Sequence, residues 1–394
     1  MGFRSAGLET DMRSWRHSFH RHPELAFDTR KTAALVAAVL TDIAVDEVHT
    51  DIGHTGVVGV LRRGGSPRAI GLRADMDALP IQEAAQREHR SQIDGVFHGC
   101  GHDGHTAMLL GAARLLATNT SFDGTVYLVF QPNEENGRGA QAMIDDGLFE
   151  RFPMSAIFGL HNRPGLAVGR FATRRGPMMS SEDLFEIRVE GRGGHASTPE
   201  RHVDPVVVAA EIVVALQSIV SRSIAATDTA VVSVTEILTD GARNIVPSTV
   251  TIKGDCRAFS TTVRATIERR MREIVQGICA AYGASGTVSY DHEFVPVVNT
   301  VDEWRLATAS AADVVGPSNV DDDCALVTAS EDFARFLQHI PGCFMEIGNG
   351  ADGECGSSLH NPRYDFNDDA LQVGADYWVC LVERVLSTSS ADQK

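Results

Sequence analysis

Eight consecutive residues, HGCGHDGH from His98 to His105, concentrate side chains that bind metal ions. They hold three imidazoles, one thiol and one carboxylate, and their glycines let a loop turn its side chains inward. Thiolate and imidazole donors together favour a divalent transition metal. Cys100 and His102 are therefore the first predicted ligands. The alternative to a metal site is that Cys100 is a small buried side chain and the histidines lie on a solvated loop. That interpretation must account for all five side chains of the motif at once.

More polar side chains follow apolar runs that have the pattern of buried strands. Asp75 and Asp77 end the run AIGLRADMD, Glu134 and Glu135 follow TVYLVFQPN, and His161 ends SAIFGLH. The carboxyl ends of strands are where α/β sheets place ligands. Helix capping or turn formation is an alternative role for the two aspartates, and an acidic helix N-terminus is one for the two glutamates.

The chain that must position these residues shows two different patterns of predicted helices and strands. Residues 1–180 alternate helical patterns with buried strands, which predicts an α/β sheet with helices on both faces. Residues 181–292 follow the order β-α-β-β-α-β, which is typical of a ferredoxin-like domain. Residues 293–394 contain helical patterns at WRLATASAADVV and EDFARFLQHI, a strand at CFMEIG and a loop that carries His360. If His360 joins the metal site, residues 1–180 and 293–394 form one discontinuous domain and 181–292 is an insertion.

Composition narrows the class of protein. A chain of 394 residues predicts two domains. Its net charge of −17, spread along the chain, argues against nucleic acid and anionic membrane as partners. The segment MGFRSAGLETDMRSW lacks the apolar core of a signal peptide, and seven cysteines without CxxC pairs favour free thiols, so we expect a cytoplasmic protein without a membrane span.

The candidate ligands exceed what one tetrahedral ion accepts, which predicts two adjacent metal ions. The five residues are Cys100, His102, Glu135, His161 and His360. Consecutive residues on an extended segment point to opposite sides, so one member of the Glu134-Glu135 pair should bind metal and the other should carry a proton.

Seven segments, in order and over nearly the whole chain, resemble the M20 metallopeptidase family. They are RHPELAFDTRKTA, GLRADMDALPIQE, HGCGHDGHTAMLLGAA, VFQPNEENGRGAQAMIDDG, GLHN, GRGGHAS and LHNPRYDFND. The most similar branch is that of the amidohydrolases, which includes hippurate hydrolase, bacterial N-acyl-amino-acid amidohydrolases and plant auxin-conjugate hydrolases. This resemblance implies an exopeptidase-like α/β catalytic domain with a mixed sheet, and an inserted ferredoxin-like domain that serves as lid and dimerisation module.

The resemblance also implies roles for single residues. It assigns the metal ions to the same five ligands and the general base to Glu134. It implies that Asp75 and Asp77 support the site and that Asp103 holds the orientation of an imidazole that binds metal. In the inserted domain it implies His195 as an oxyanion donor, often supplied across a dimer.

The remaining implied roles concern the substrate. By resemblance, Asn244 and Arg257 hold its carboxylate, and an arginine fork suits that bidentate contact. Without the resemblance, a turn residue and a surface ion pair are the alternatives. The family commonly has alanine where this chain has Gly99 and Asn133, which we expect to affect substrate preference or metal choice.

These observations predict a homodimeric or larger metal-dependent amidohydrolase that cleaves N-acyl amino acids to a carboxylic acid and a free amino acid. The two divalent ions would be Zn, Mn, Ni or Co, because mixed Cys, His and Glu donors do not select among them. A dipeptidase or carboxypeptidase on the same scaffold is the alternative enzyme, and a binding protein without catalysis is the alternative from another class.

Overall fold

The computed structural model describes residues 7–119 and 121–387, so the first six residues of the start segment lie outside the described residues. The chain divides into two compact units. The first comprises Met1–Gly176, Val298–Ala325 and Asp332–Lys394, and the second comprises Pro177–Val297 and Leu326–Glu331. The sequence-based boundaries stand at 180/181 and 292/293, and no sequence signal marks Leu326–Glu331 as part of the second unit.

The first unit is built on one mixed sheet of eight strands. Numbered along the whole chain, they are β1 (Glu47–Ile52), β2 (Gly56–Arg63), β3 (Ala69–Asp75), β4 (Gly124–Gln131), β5 (Ala156–Pro164), β6 (Phe171–Ala172), β15 (Val320–Asp321) and β16 (Gly342–Gly350). Their order in the sheet is β1-β2-β4-β3-β5-β16-β6-β15. Strands β4, β3, β5 and β16 are parallel, whereas β1 and β2 are antiparallel to their neighbours. Every residue of β3 is buried, as expected of a strand covered on both faces.

Helices cover this sheet. They are α1 (Leu8–Arg21), α2 (Arg30–Ile43), α3 (His102–Asn119), α4 (Gly139–Asp145), α5 (Leu148–Arg151), α8 (Val301–Val315), α9 (Ala334–Leu337) and α10 (Asp369–Val385). Helix α3 is apolar on nearly every side and begins inside the HGCGHDGH motif, so it lies in the core. Helix α10 packs so closely on α3 that a Cβ added at Gly374 would collide with Met108.

The second unit has the predicted ferredoxin-like topology. Its main elements are β8 (Glu182–Glu190), α6 (Pro205–Ser218), β10 (Ala230–Thr239), β12 (Thr249–Ala258), α7 (Thr261–Tyr282) and β13 (Ser285–Phe294). The four strands form an antiparallel sheet in the order β10-β12-β8-β13. Short strands β9 (Gly194–His195) and β11 (Ile245–Val246) pair separately. Strands β7 (Gly176–Met179) and β14 (Val297–Asn299) contain two of the four unit boundaries.

Local signals explain where the two helices of the second unit begin and end. The Ser260 side chain accepts the backbone N–H of Val263 at the start of α7, and Gly283 ends that helix in the left-handed region. Asp204 caps α6, and Pro205 follows at its first position. The predicted fold class is therefore confirmed in both parts.

Two local expectations were wrong. The pattern EDFARFLQHI predicted a full helix, but α9 has four residues. Pro341 follows the pattern directly, and a proline disfavours helical geometry in the residue before it. The strand expected to end at His161 instead continues to Pro164, because β5 pairs with β16 along its whole length.

One helical stretch of the described residues, Pro205–Ser223, has the length and composition of a membrane-crossing helix. Length and composition are weak evidence, because core helices share them. Buried Val208, Ile212 and Leu216 pack one face of this helix against the core of the second unit, and the opposite face is exposed.

Candidate active site

The parallel strands of the first unit bring the predicted site residues to one edge of the sheet. Strand β3 ends at Asp75, its neighbour β4 ends at Gln131, and its other neighbour β5 carries His161 near its carboxyl end. Because these strands are parallel, their carboxyl ends lie side by side. The loop before α3 adds Cys100 at the same edge, and the first residue of α3 adds His102.

The five predicted metal ligands lie close together, in two groups of contacting donors. Cys100 Sγ lies 3.5 Å from His161 Nε2, His102 Nε2 lies 3.8 Å from Glu135 Oε1, and His360 Nε2 lies 3.5 Å from Glu135 Oε2. Donor atoms of Cys100, His102 and Glu135 all lie within 4.8 Å of one another. Two donors on one tetrahedral ion are about 3.3 to 3.8 Å apart, so the spacing suits shared cations.

Buried polar atoms show that this donor set fits metal ions. Within the described part of the chain, His102 Nε2 and Glu135 Oε1 are buried and have no hydrogen-bond partner. Such groups are costly to bury unless something binds them. A cation at this position would satisfy both.

Electrostatics at the site also favour cations. Burial lowers the pKa of His102, but the nearby carboxylates, Asp75 foremost, raise it to about 10, which records a strongly negative local field. Burial, helped by His105, holds the pKa of His161 well below its usual range. His161 is therefore neutral at pH 7, which is the form of imidazole that binds metal.

Asp77 connects both glutamates to His102. Its Oδ1 accepts the backbone N–H of Glu134 at 3.0 Å and lies 3.5 Å from His102 Nδ1. Its Oδ2 accepts the backbone N–H of Glu135 at 3.2 Å. This arrangement leaves Nε2 of His102 directed toward Glu135, as expected of a ligand imidazole oriented by a carboxylate.

Asp75 is equally buried and holds a second histidine of the motif. Its Oδ1 contacts His105 Nδ1 at 2.6 Å, and its Oδ2 accepts Arg73 Nη1 at 2.8 Å. His105 Nε2 contacts Asn162, the residue after His161. The sequence did not predict this role of His105, although the residue is in the motif. The motif has three histidines, and their types and spacing do not tell a metal-binding imidazole from one that supports the site.

Glu134 and Glu135 lie in a turn rather than on the extended segment used to predict their separate roles. Gly137 donates its backbone N–H to the Glu134 carbonyl at 2.7 Å, and Asn133 has a φ of 53°. Asparagine tolerates that left-handed geometry, and the Asn136 side chain donates to Asn133 Oδ1 at 2.6 Å. The amide of Asn133 thus stabilises the turn that presents the two glutamates.

The glycine loop is hydrogen-bonded to the segment that carries the fifth predicted ligand, His360. The backbone N–H of His360 donates to the Gly99 carbonyl at 2.8 Å. A Cβ at Gly99 would lie 3.0 Å from the Phe97 ring, closer than ordinary contact. Gly99 therefore gives room to Phe97 within a hydrogen-bonded loop.

Asp103 contacts an imidazole outside the predicted ligand set. Its Oδ2 contacts His20 Nδ1 at 2.8 Å and accepts Arg16 Nη1 at 3.2 Å. Burial alone would raise the pKa of Asp103, but His20 and Arg16 hold it far below its usual range. Asp103 thus joins the start of α3 to α1, and Asp77, not Asp103, contacts the imidazole of the predicted ligand His102.

The predicted oxyanion donor, His195, lies in the second unit, and its tautomer follows from its neighbours. The backbone N–H of Ser197 donates to His195 Nδ1 at 3.2 Å. Because a backbone N–H can only donate, Nδ1 must be the unprotonated nitrogen and Nε2 carries the proton. His195 can therefore offer an Nε2–H to a carbonyl oxygen.

The two residues predicted to hold a carboxylate also belong to the second unit. Asn244 lies beside His195, because its carbonyl accepts the Ala196 N–H at 3.0 Å where β9 pairs with β11. Arg257 on β12 contacts Glu182 Oε2 and Asp255 Oδ2, each at 2.9 Å. The guanidinium of Arg257 is therefore already paired with carboxylates of its own unit.

Known proteins with a similar sequence and fold were compared with this chain. Residues 71–384 match the family model for Peptidase family M20/M25/M40. The chain is 40% identical to hippurate hydrolase of Campylobacter jejuni, over 96% of this chain and 97% of that protein. It is 35% identical to N-acetylcysteine deacetylase of Bacillus subtilis, over 97% and 98% of the two chains.

A solved structure agrees with these matches. The Bacillus subtilis YXEP protein, described as a dinuclear metal binding peptidase from the M20 family, superposes with a TM-score of 0.85 at 31% identity, covering 98% of this chain and 100% of that one. Sequence, fold and clustered metal donors agree, and the chain is a hydrolase that belongs to Peptidase family M20/M25/M40.

Proposed function

We propose that this protein is a metal-dependent amidohydrolase that cleaves N-acyl amino acids into a carboxylic acid and a free amino acid. One observation carries the proposal: donor atoms of Cys100, His102 and Glu135 lie within 4.8 Å of one another, His161 contacts Cys100, and His360 contacts Glu135. Glu134 stands next to one of these proposed ligands. The names of the similar proteins, hippurate hydrolase and N-acetylcysteine deacetylase, support an N-acyl amino acid as the substrate class.

The proposed site would hold two divalent ions of Zn, Mn, Ni or Co. When bound, such ions supply a nucleophilic water at neutral pH and polarise the scissile carbonyl. The Glu134 carboxylate takes a proton from the attacking water and delivers it to the leaving nitrogen. His195 donates its Nε2–H to the carbonyl oxygen as negative charge develops there. Asn244 and Arg257 bind the carboxylate of the amino acid.

A hydrolysis screen tests this function. Chelated enzyme receives each metal in turn and is assayed on acetyl and benzoyl amino acids, with metal content measured on the same samples. In Glu134→Gln we expect metal content to be retained and kcat to fall by about 10² to 10⁴. Exposed Glu88→Gln is the matched control and should keep wild-type kcat. Retained turnover in Glu134→Gln would show that another group is the base.

The same screen separates the alternative peptidase activity. A dipeptide and an acyl amino acid share the scissile amide. The acyl group of the dipeptide carries a charged amino group, whereas an acetyl or benzoyl group does not. Faster hydrolysis of aminoacyl than of acetyl and benzoyl substrates would assign the enzyme to the dipeptidase or carboxypeptidase class. If the fully metallated protein hydrolyses none of these substrates, the result would favour the remaining alternative, a binding protein without catalysis.

We also propose that the protein is a homodimer or larger homo-oligomer through its second unit. Exposed apolar residues on α6 and the edge strand β10 support this, since monomers rarely expose large apolar patches. Val214 on α6 is 74% exposed, and Ile237 and Leu238 on β10 are 55% and 50% exposed. Light scattering should give a multiple of 42.4 kDa that Val214→Glu reduces to the monomer mass.

A cytoplasmic location is proposed as well. All seven cysteines lie among the described residues, and each is a free thiol. A reducing compartment suits that state and would preserve the thiolate of Cys100 as a ligand.

A further inference from the structure

We propose that Asp332 is a positioning residue for the general base Glu134, an inference that rests on the proposed function. Asp332 stands almost 200 residues from Glu134 along the chain, just before α9. No sequence motif of the candidate site includes it. Its role follows from four hydrogen bonds, three to the turn between β4 and α4 and its two ends, and one to Arg73 on β3.

The first bond is direct. The backbone N–H of Asp332 donates to Oε1 of Glu134 at 3.3 Å. This contact reaches one oxygen of the carboxylate that must move a proton. The position of the Asp332 backbone therefore influences the orientation of the base.

The other three bonds end on the Asp332 carboxylate, and two of them fix both ends of the turn. Oδ1 accepts Gln131 Nε2 at 2.7 Å, and Gln131 is the last residue of β4. Oδ2 accepts the backbone N–H of Ala140 at 2.9 Å in the first turn of α4. One carboxylate thus holds the residues immediately before and after the segment 132–139, which carries both glutamates.

The guanidinium of Arg73 donates the third of these bonds. We call the Asp332 carboxylate with its partners Gln131 and Ala140 the clamp, and Arg73 links this clamp to the residues around the predicted metal ligands. Arg73 Nη2 donates to Asp332 Oδ1 at 3.2 Å, while Nη1 donates to Asp75 Oδ2 at 2.8 Å. Oδ2 of Asp75 lies 3.7 Å from His102 Nε2. The side chains of Arg73, Asp75 and Asp332 are fully buried, so each charge depends on its partners rather than on water.

Two substitutions at Asp332 remove some or all of the hydrogen bonds of this clamp. In Asp332→Asn, the side chain has one acceptor oxygen and an amide that donates, so it cannot accept from Arg73 and Ala140 together. In Asp332→Ala, every side-chain bond is removed. The backbone bond to Glu134 remains available in both variants, so their effects report on the placement of the turn.

The matched control is another buried carboxylate paired with an arginine. Asp183 in the second unit contacts Arg264 Nε at 2.7 Å and is 1% exposed. Asp183→Asn therefore removes a comparable buried charge outside the clamp. It reports what generic destabilisation does to the assay.

The experiment compares these variants with wild type as full-length, metal-loaded enzyme. It measures kcat, KM, metal content and thermal midpoint, together with hydrogen exchange of peptides that cover 132–140. We expect kcat to fall about tenfold in Asp332→Asn and towards a hundredfold in Asp332→Ala, with KM and metal content within about twofold of wild type. Exchange across 132–140 should accelerate in both variants and stay unchanged in Asp183→Asn.

The opposite results overturn the proposal. A merely structural role predicts a lower thermal midpoint with kcat per metal-loaded, folded molecule within about twofold of wild type. If neither Asp332 variant folds, Gln131→Met removes one bond of the clamp, and unchanged kcat and exchange in that variant overturn it equally. If wild type hydrolyses no acyl amino acid, the proposed function fails, while the exchange data still decide whether Asp332 holds the turn.

Discussion

The carboxylate of Asp77 accepts the backbone N–H of Glu134 at 3.0 Å, so an aspartate two residues beyond the end of β3 holds the peptide unit of the proposed base. The same side chain accepts the N–H of Glu135 and faces Nδ1 of His102. One buried carboxylate therefore sets the geometry of a base and two proposed ligands. These contacts need both of its oxygens as acceptors.

Asp77→Asn tests that need. An asparagine has one acceptor oxygen and must turn its amide toward a backbone N–H or toward His102. We expect a loss of about 10-fold to 100-fold in metal affinity or kcat, measured by titration of chelated enzyme and by steady-state kinetics. Exposed Asp94→Asn is the control for the change of charge. Wild-type metal affinity and kcat in Asp77→Asn would contradict the role.

Gly101→Ala tests the geometry of the metal loop. Gly101 has a φ of 91°, and an added Cβ would collide with Asn162 and lie 2.6 Å from the Tyr364 hydroxyl. We expect destabilisation by more than about 1 kcal/mol and reduced metal content, measured by thermal unfolding and elemental analysis. Gly165→Ala is the matched control, because its φ is 85° but no atom lies near the added Cβ. Equal effects in the two variants would mean that backbone strain, and not the collision, dominates.

Asp365→Asn tests a pH dependence of stability. Burial alone would raise the pKa of Asp365, but His89, Arg16 and Arg87 lower it to about 2 from 3.8. A carboxyl with a lowered folded-state pKa stabilises the fold above pH 3.8, and this contribution disappears as the pH falls toward 2. The shift corresponds to about 2 kcal/mol.

Chemical denaturation at several pH values measures this contribution. The free energy of unfolding of wild type relative to Asp365→Asn should fall by about that amount as the pH is lowered from 7 to 2, with most of the change between about pH 4 and pH 2. A difference that stays constant over that interval would show that Asp365 does not titrate as its partners imply.

The sequence by itself predicted the parts of this protein that depend on local pattern. Alternating and continuous apolar runs predicted the sheet and the β-α-β-β-α-β order of the second unit, because side-chain periodicity reports which faces are buried. The HGCGHDGH motif and the polar residues after β3 and β4 predicted one site, because parallel strands bring their carboxyl ends together. The residue types and glycine spacing of that motif were enough to propose Cys100 and His102 as ligands.

The division of labour among neighbouring polar residues was decided by the tertiary structure. Asp103 and His105 stand in the same motif as the proposed ligands Cys100 and His102. Asp103 pairs with His20 and Arg16, whereas His105 pairs with Asp75. Asp332 lies nearly 200 residues from the turn that it holds. Hydrogen-bond partners distant in sequence leave no periodic signal, because buried polar groups are satisfied by whichever groups the packed chain brings within about 3 Å.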